Sequence, residues 1–244
     1  MDKQSSIKSL QFNTIFADNA DLSNPVWTIQ PNINSIGGFK VKNVCIPLTS
    51  YNIDTYNNKI SIFEKITSSG NTQSNVVSIP IGNYNSLNIG SALTTALNSQ
   101  GTLYMTCNFS TLSNLLNFNS TTGTFYFQPI TNHAFYELGI TSGTSLVSTY
   151  TAGNCLDLSG IKLLNLQTNS LDGTDIVGNN NRIICSIPIE ESVNTISTFT
   201  DDSSDYIDSN IQSISQISVN LKDQYYRDII TRNHWNFTLN LKID

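Results

Sequence analysis

Two histidines, four cysteines and one acidic run are the side chains of this sequence best suited to chemistry, and their spacing decides what kind is possible. His133 and His234 stand a hundred residues apart with no carboxylate at ligand spacing. Neither has the neighbours that a metal ligand or a general base requires, so each is expected to be hydrogen-bonded or exposed. The nucleophile elbow G-x-S-x-G is absent, as are the phosphate-binding G-x-x-x-x-G-K-[ST] and G-x-G-x-x-G. Among 18 acidic residues nothing singles out a pair for glycoside hydrolysis. No catalytic residue and no cofactor site is assigned, and the chain is not read as an enzyme.

Asp201, Asp202, Asp205 and Asp208, with Glu190 and Glu191 upstream, form the densest acidic run. Hard cations such as Ca²⁺ collect six to eight oxygens, so clustered carboxylates invite a test, with Asp201, Asp202 and Asp205 as the ligands to examine. The run lacks the glycine-punctuated D-x-D-x-D-G spacing that wraps a loop round the ion, and a solvated acidic loop is expected instead. Cys45, Cys107, Cys155 and Cys185 contain no C-x-x-C, and three of them fall in strand-like runs. They read as buried free thiols acting as small hydrophobes, with one disulfide pair as the alternative. Tyr51, Tyr56 and Tyr84 could stack on a sugar; their other reading is packing, Tyr84 laying its ring over the turn that precedes it. N-x-S/T sequons at Asn108, Asn119 and Asn236 carry no weight in so Asn/Ser/Thr-rich a chain.

Only 12% of the 244 residues are charged, against a typical ~25%, and Asn, Ser and Thr fill the polar quota. That balance disfavours long helices and favours strands and turns. The net charge is −6, no Lys/Arg run exists, and Lys40 with Lys42 is the nearest thing to a basic pair. Direct nucleic-acid binding through phosphate neutralisation is therefore not expected. No stretch approaches the ~18 apolar residues of a membrane span, and MDKQSSIKSL has no apolar signal region.

The elements that must position these residues are organised round 76–98, VVSIPIGNYNSLNIGSALTTALN. A β-branched run broken by Pro80 leads to a Gly82-Asn83 turn, where φ > 0 is tolerated. Asn85 or Ser86 can cap a helix that starts just beyond the turn. Ile89, Ala92, Leu93, Ala96 and Leu97 then recur at the spacing of one helical face. Ser, Thr and Asn surface the rest, so Thr94 is expected to tolerate alanine. No other stretch is so good a helix.

Upstream, residues 1–36 read as an extended arm or edge strand, and 37–244 as a single domain. Strands are expected at 39–46, 59–66, 103–109, 159–168, 182–189, 193–199 and 214–221, with a hairpin of 115–118 and 124–128 across 119–123. Residues 133–140, HAFYELGI, suit one helical turn ended by Gly139. Loops are expected at 68–75, 141–154 and 169–181. The cleanest alternation closes the chain, with Trp235, Phe237, Leu239, Leu241 and Ile243 on one face. Eight to ten strands, one helix and no linker point to an all-β, antiparallel β-sandwich.

Gly82-Asn83-Tyr84, the helix leucines Leu93 and Leu97, and Leu138-Gly139 some forty positions on carry a resemblance. In order and spacing they resemble the penton-type, single jelly-roll minor capsid proteins of virophages and polinton-like viruses, with weaker likeness in 23–53 and 235–243. The resemblance implies a single jelly roll with one short helix inserted between strands; alternation alone would allow another Greek key. It also implies a structural virion protein, a penton subunit whose homopentamers close the fivefold vertices of a small double-stranded DNA virus. The partners would be further copies of itself and a major capsid protein of double jelly-roll fold. Its location would be the capsid vertex, assembled inside the host cell and not secreted. The competing reading is a receptor- or carbohydrate-binding β-sandwich, a spike or lectin-like module.

Overall fold

The computed structural model describes residues 6–171, 174–176, 179–191, 195–229 and 231–244, with the backbone alone at 174–176 and 179–181. In chain order the strands are β1 (Ser6–Asn13), β2 (Val26–Pro47), β3 (Lys59–Ile66) and β4 (Thr72–Ser78), followed by helix α1 (Ile89–Gln100). Next come β5 (Met105–Ser110), β6 (Leu115–Ser120), β7 (Gly123–Gln128), the one-turn helix α2 (Phe135–Leu138) and β8 (Thr149–Thr151). The chain ends with β9 (Leu163–Thr168), β10 (Thr174–Ile176), β11 (Asn179–Pro188), β12 (Ile196–Thr200), β13 (Ile207–Ser218), β14 (Asn220–Lys222) and β15 (Asn236–Ile243). Every pairing between these strands is antiparallel.

The chain divides into two compact units. The first combines Met1–Ser50 with Ile161–Asp244 and is a sandwich of two sheets. One sheet runs β1-β15-β2-β12, with β13 also on β2; the other runs β10-β11-β9-β14. Phe39, Val41, Phe237 and Leu239 from one sheet share a single core with Leu164, Leu166 and Leu221 from the other. The alternation of β15 buries Phe237, Leu239 and Leu241 while its polar residues stay half-exposed, which is the period-2 logic of a strand with one face on a core. Segment 1–36 supplies β1, the edge strand beside β15, and the first part of β2, which passes residue 37 without a break. Phe237 pairs with Val44 of β2 and also meets Trp27 of the same strand, ring centroids 5.7 Å apart. The 22-residue strand must therefore fold back on itself, and Ser35 between those points takes the left-handed φ of 58°.

The second unit, Tyr51–Gly160, lies in sequence between the halves of the first. It holds sheets β4-β3-β7 and β5-β6-β8, with α1 and α2, round its own core. Ile60, Ile62, Phe118, Phe125 and Phe127 meet Ile89, Leu93 and Leu97 of the helix there, all essentially inaccessible to solvent.

Several local expectations are corrected. Residues expected as loops at 68–75, 141–154 and 169–181 contain the first part of β4, β8, β10 and the start of β11. β8 and the first part of β4 bury little, so no apolar period marks them in the sequence. Asp172-Gly173 and Val193 lie outside the described residues. The helix N-cap is Asn88 rather than Asn85 or Ser86; Asn85 instead accepts the backbone N–H groups of Leu87 (3.0 Å) and Asn88 (3.1 Å) in the turn just before it.

Candidate functional site

Gly82-Asn83-Tyr84 and Leu138-Gly139 are joined in space by two asparagines, Asn52 and Asn57. Gly82 and Ile53 exchange backbone hydrogen bonds of 3.2 and 3.0 Å. The buried Asn52 amide donates to the carbonyls of Tyr84 (2.7 Å) and Leu158 (2.9 Å), and its carbonyl oxygen accepts the Tyr84 N–H (2.9 Å). Asn83 Oδ1 accepts the Asn52 N–H at 3.0 Å. The Asn57 amide then donates to the Asn52 carbonyl (2.9 Å) and to Glu137 Oε1 (2.7 Å) on α2. Thus the asparagines give buried backbone groups the partners that no sheet supplies there. Tyr84 lays its ring over Gly82, 3.6 Å from where a β-carbon would stand, and its hydroxyl donates to the Pro80 carbonyl at 2.7 Å. Burial raises the pKa of that hydroxyl.

Leu138 is fully buried, and Gly139 ends α2 in the left-handed conformation, φ 66°. A β-carbon on Gly139 would meet the Asn154 carbonyl at 2.0 Å, so glycine is demanded by space as well as by φ. Leu93 and Leu97 are likewise inaccessible.

The polar side of α1 is not the free surface that its composition suggests. Thr94 Oγ1 accepts the Cys107 N–H at 2.8 Å, and one turn on Asn98 pairs with both backbone groups of Met105, at 2.7 and 2.9 Å. One turn earlier, a β-carbon on Gly90 would stand 2.9 Å from the Cys107 carbonyl. Gly90, Thr94 and Asn98 therefore act as a surrogate strand along the edge of β5. Where α1 ends, Glu64 is 1% exposed and faces four donors. Its carboxylate accepts from Thr102 N (2.9 Å), Thr102 Oγ1 (2.5 Å), Leu103 N (3.1 Å) and the Asn75 amide. Sequence reasoning passed over Glu64 because a lone Glu in an alternating strand reads as a solvent-facing position.

The acidic loop between β12 and β13 stays largely exposed, with the Asp202 side chain 85% accessible, and is also tethered by lysines. Lys42 Nζ reaches Asp202 Oδ1 at 2.5 Å and the Asp201 carbonyl at 2.6 Å, while the largely buried Lys40 donates to the Ser203 carbonyl. Asp201 is held below the usual carboxylate range by the Ser203 side-chain and backbone hydrogen bonds, with smaller help from the two lysines. Asp205 and Asp208 do not join Asp201 and Asp202 in a common site, and no group of three metal-ligating side chains occurs among the described residues. The apparent basic pair and the apparent metal run are two sides of one contact.

All four cysteines are free. Burial raises the Cys107 thiol to about 12, and burial followed by the Asp201 charge raises Cys185 to about 12. Cys155, expected to be buried, is exposed, and it stands outside every strand. His133 Nδ1 accepts the Phe135 N–H, and His234 Nδ1 lies 3.1 Å from the Thr14 hydroxyl.

No protein-family model matches the chain, and no curated protein matches it by sequence. Among solved structures, the penton protein of mavirus superposes with a TM-score of 0.54 at 10% sequence identity, over 98% of this chain and 99% of that one. The fold is an antiparallel jelly-roll β-sandwich, as in that structure. At 10% identity the likeness rests on architecture, and it takes in the penton protein's whole length.

Proposed function

We propose that the protein is a structural capsid subunit, a penton whose homopentamers close the fivefold vertices of a small double-stranded DNA virus. The observation that carries this reading is the superposition on the mavirus penton protein from end to end of both chains. Composition supports it: with 12% charged residues, surfaces rich in Asn, Ser and Thr can be buried between copies without the desolvation cost of ions. Closing a ring requires a heterologous contact, one patch of each copy meeting a different patch of the next. In this reading the neighbours are double jelly-roll major capsid trimers, and the protein has no catalytic task. Mixing the purified protein with such trimers should yield closed shells that show fivefold density at the vertices in electron micrographs. Shells that close equally well without it, or that exclude it, would contradict the proposal.

A further inference from the structure

Separately from the proposed capsid role, the second unit carries an open surface cleft of about 540 Å³ beside the end of β7. Tyr126, Gln128, Ile130, Ser142, Gly143 and Thr144 line it, and no charged side chain does. Tyr126 is held in place twice. Phe63 backs its ring, with centroids 4.9 Å apart and planes 20° from parallel, and the Gln128 amide donates to its hydroxyl at 3.3 Å.

The opposite wall is tied down along its length. Thr141 is bonded to the Tyr150 hydroxyl through N, Oγ1 and O at 2.8–3.0 Å. Gly143 N–H donates to the Phe127 carbonyl at 3.1 Å, and Val147 exchanges backbone bonds of 2.8 and 3.0 Å with Phe125. Such a site loses little ordering entropy when it is filled.

The lining selects a ligand class. A charged ligand would meet no countercharge in this lining. A wholly apolar one would strip water from the Gln128 amide and the Ser142 and Thr144 hydroxyls without replacing its bonds. A neutral polyol avoids both costs: its hydroxyls exchange with those groups, and its slightly positive C–H face rests on the negative face of an aromatic ring. We propose that this cleft is a binding site for a neutral saccharide. The site is complete in a single chain, so it stands or falls separately from the vertex reading.

Gly143 provides the decisive variant, because a β-carbon there would meet nothing within 4 Å. Gly143→Leu should therefore fold normally while placing a bulky side chain at the cleft's lining, whereas Tyr126→Ala removes the platform. The full-length protein is titrated calorimetrically with glucose, galactose, mannose, N-acetylglucosamine, lactose and, as a charged probe, sialyllactose. At least one neutral saccharide should saturate, and each variant should weaken it at least about tenfold, with the melting temperature of Gly143→Leu unchanged. Should Tyr126→Ala fail to fold, Gly143→Leu alone decides. The proposal is overturned if no neutral saccharide saturates, if sialyllactose binds in preference, or if Gly143→Leu binds as tightly as the parent. A chain that binds sugar but never assembles would refute the vertex reading and leave this one standing.

Discussion

Glu64 shows how much one buried side chain can hold. Its carboxylate meets four donors, one from Asn75 on β4 and three from Thr102 and Leu103 just beyond the end of α1. Removing it strands at least two backbone N–H groups, each costing ~1–3 kcal/mol when left unpaired and buried. Glu64→Ala should therefore destabilise the protein by about 3 kcal/mol or more in urea melts; a loss under about 1 kcal/mol would mean water replaces the carboxylate freely. Lys40 and Lys42 supply the positive charge that a cation would otherwise bring to the Asp201–Asp202 turn. EDTA should accordingly leave the melting temperature within error, and a fall of several degrees restored by Ca²⁺ would reverse that assignment. Thiol chemistry separates the cysteines: exposed Cys155 should alkylate first near pH 8, while Cys107 and Cys185, at about 12, are almost entirely thiol there. Mass mapping of an iodoacetamide time course reads the order, and early modification of Cys107 would show that β5 opens.

At the scale of elements, α1 shows which signals a sequence displays and which it hides. Of the stripe Ile89, Ala92, Leu93, Ala96 and Leu97, legible because burial imposes a 3.6-residue period, all but the half-buried Ala92 are buried, and Gly90, outside the stripe, is buried with them. β15 is legible for the same reason at period 2. The pairing of Thr94 and Asn98 with β5 is not, since a threonine facing an edge N–H and one facing water are the same letter. Leu93→Ala should cost roughly 2–5 kcal/mol. Thr94→Ala, expected from sequence to be nearly silent, should cost about 1–3 kcal/mol because it orphans the Cys107 N–H. Thr95→Ala, whose hydroxyl bonds only to the Ser91 carbonyl one turn back on an exposed face, should cost about 0.5 kcal/mol or less. Equal effects at 94 and 95 in denaturant melts would remove the surrogate-strand account. The first part of β4, at 72–75, escapes sequence reading because it displays no buried face whose period could reveal it. The division into two cores is hidden for another reason: the chain crosses between units at Ser50 and at Gly160 without any linker-like composition.

For the whole molecule, the central claim is assembly. Fold is the part that the residues and the superposition support together; partner choice is not written in any motif, because a ring contact is built from surface patches with no fixed spacing. Chain mass makes the claim simple to test. Native mass spectrometry of the purified full-length protein should show a species of five 26.9 kDa chains, about 134.5 kDa, which dissociates on dilution without passing through a stable dimer. A stable dimer or trimer, or a monomer at every concentration reached, would contradict the account.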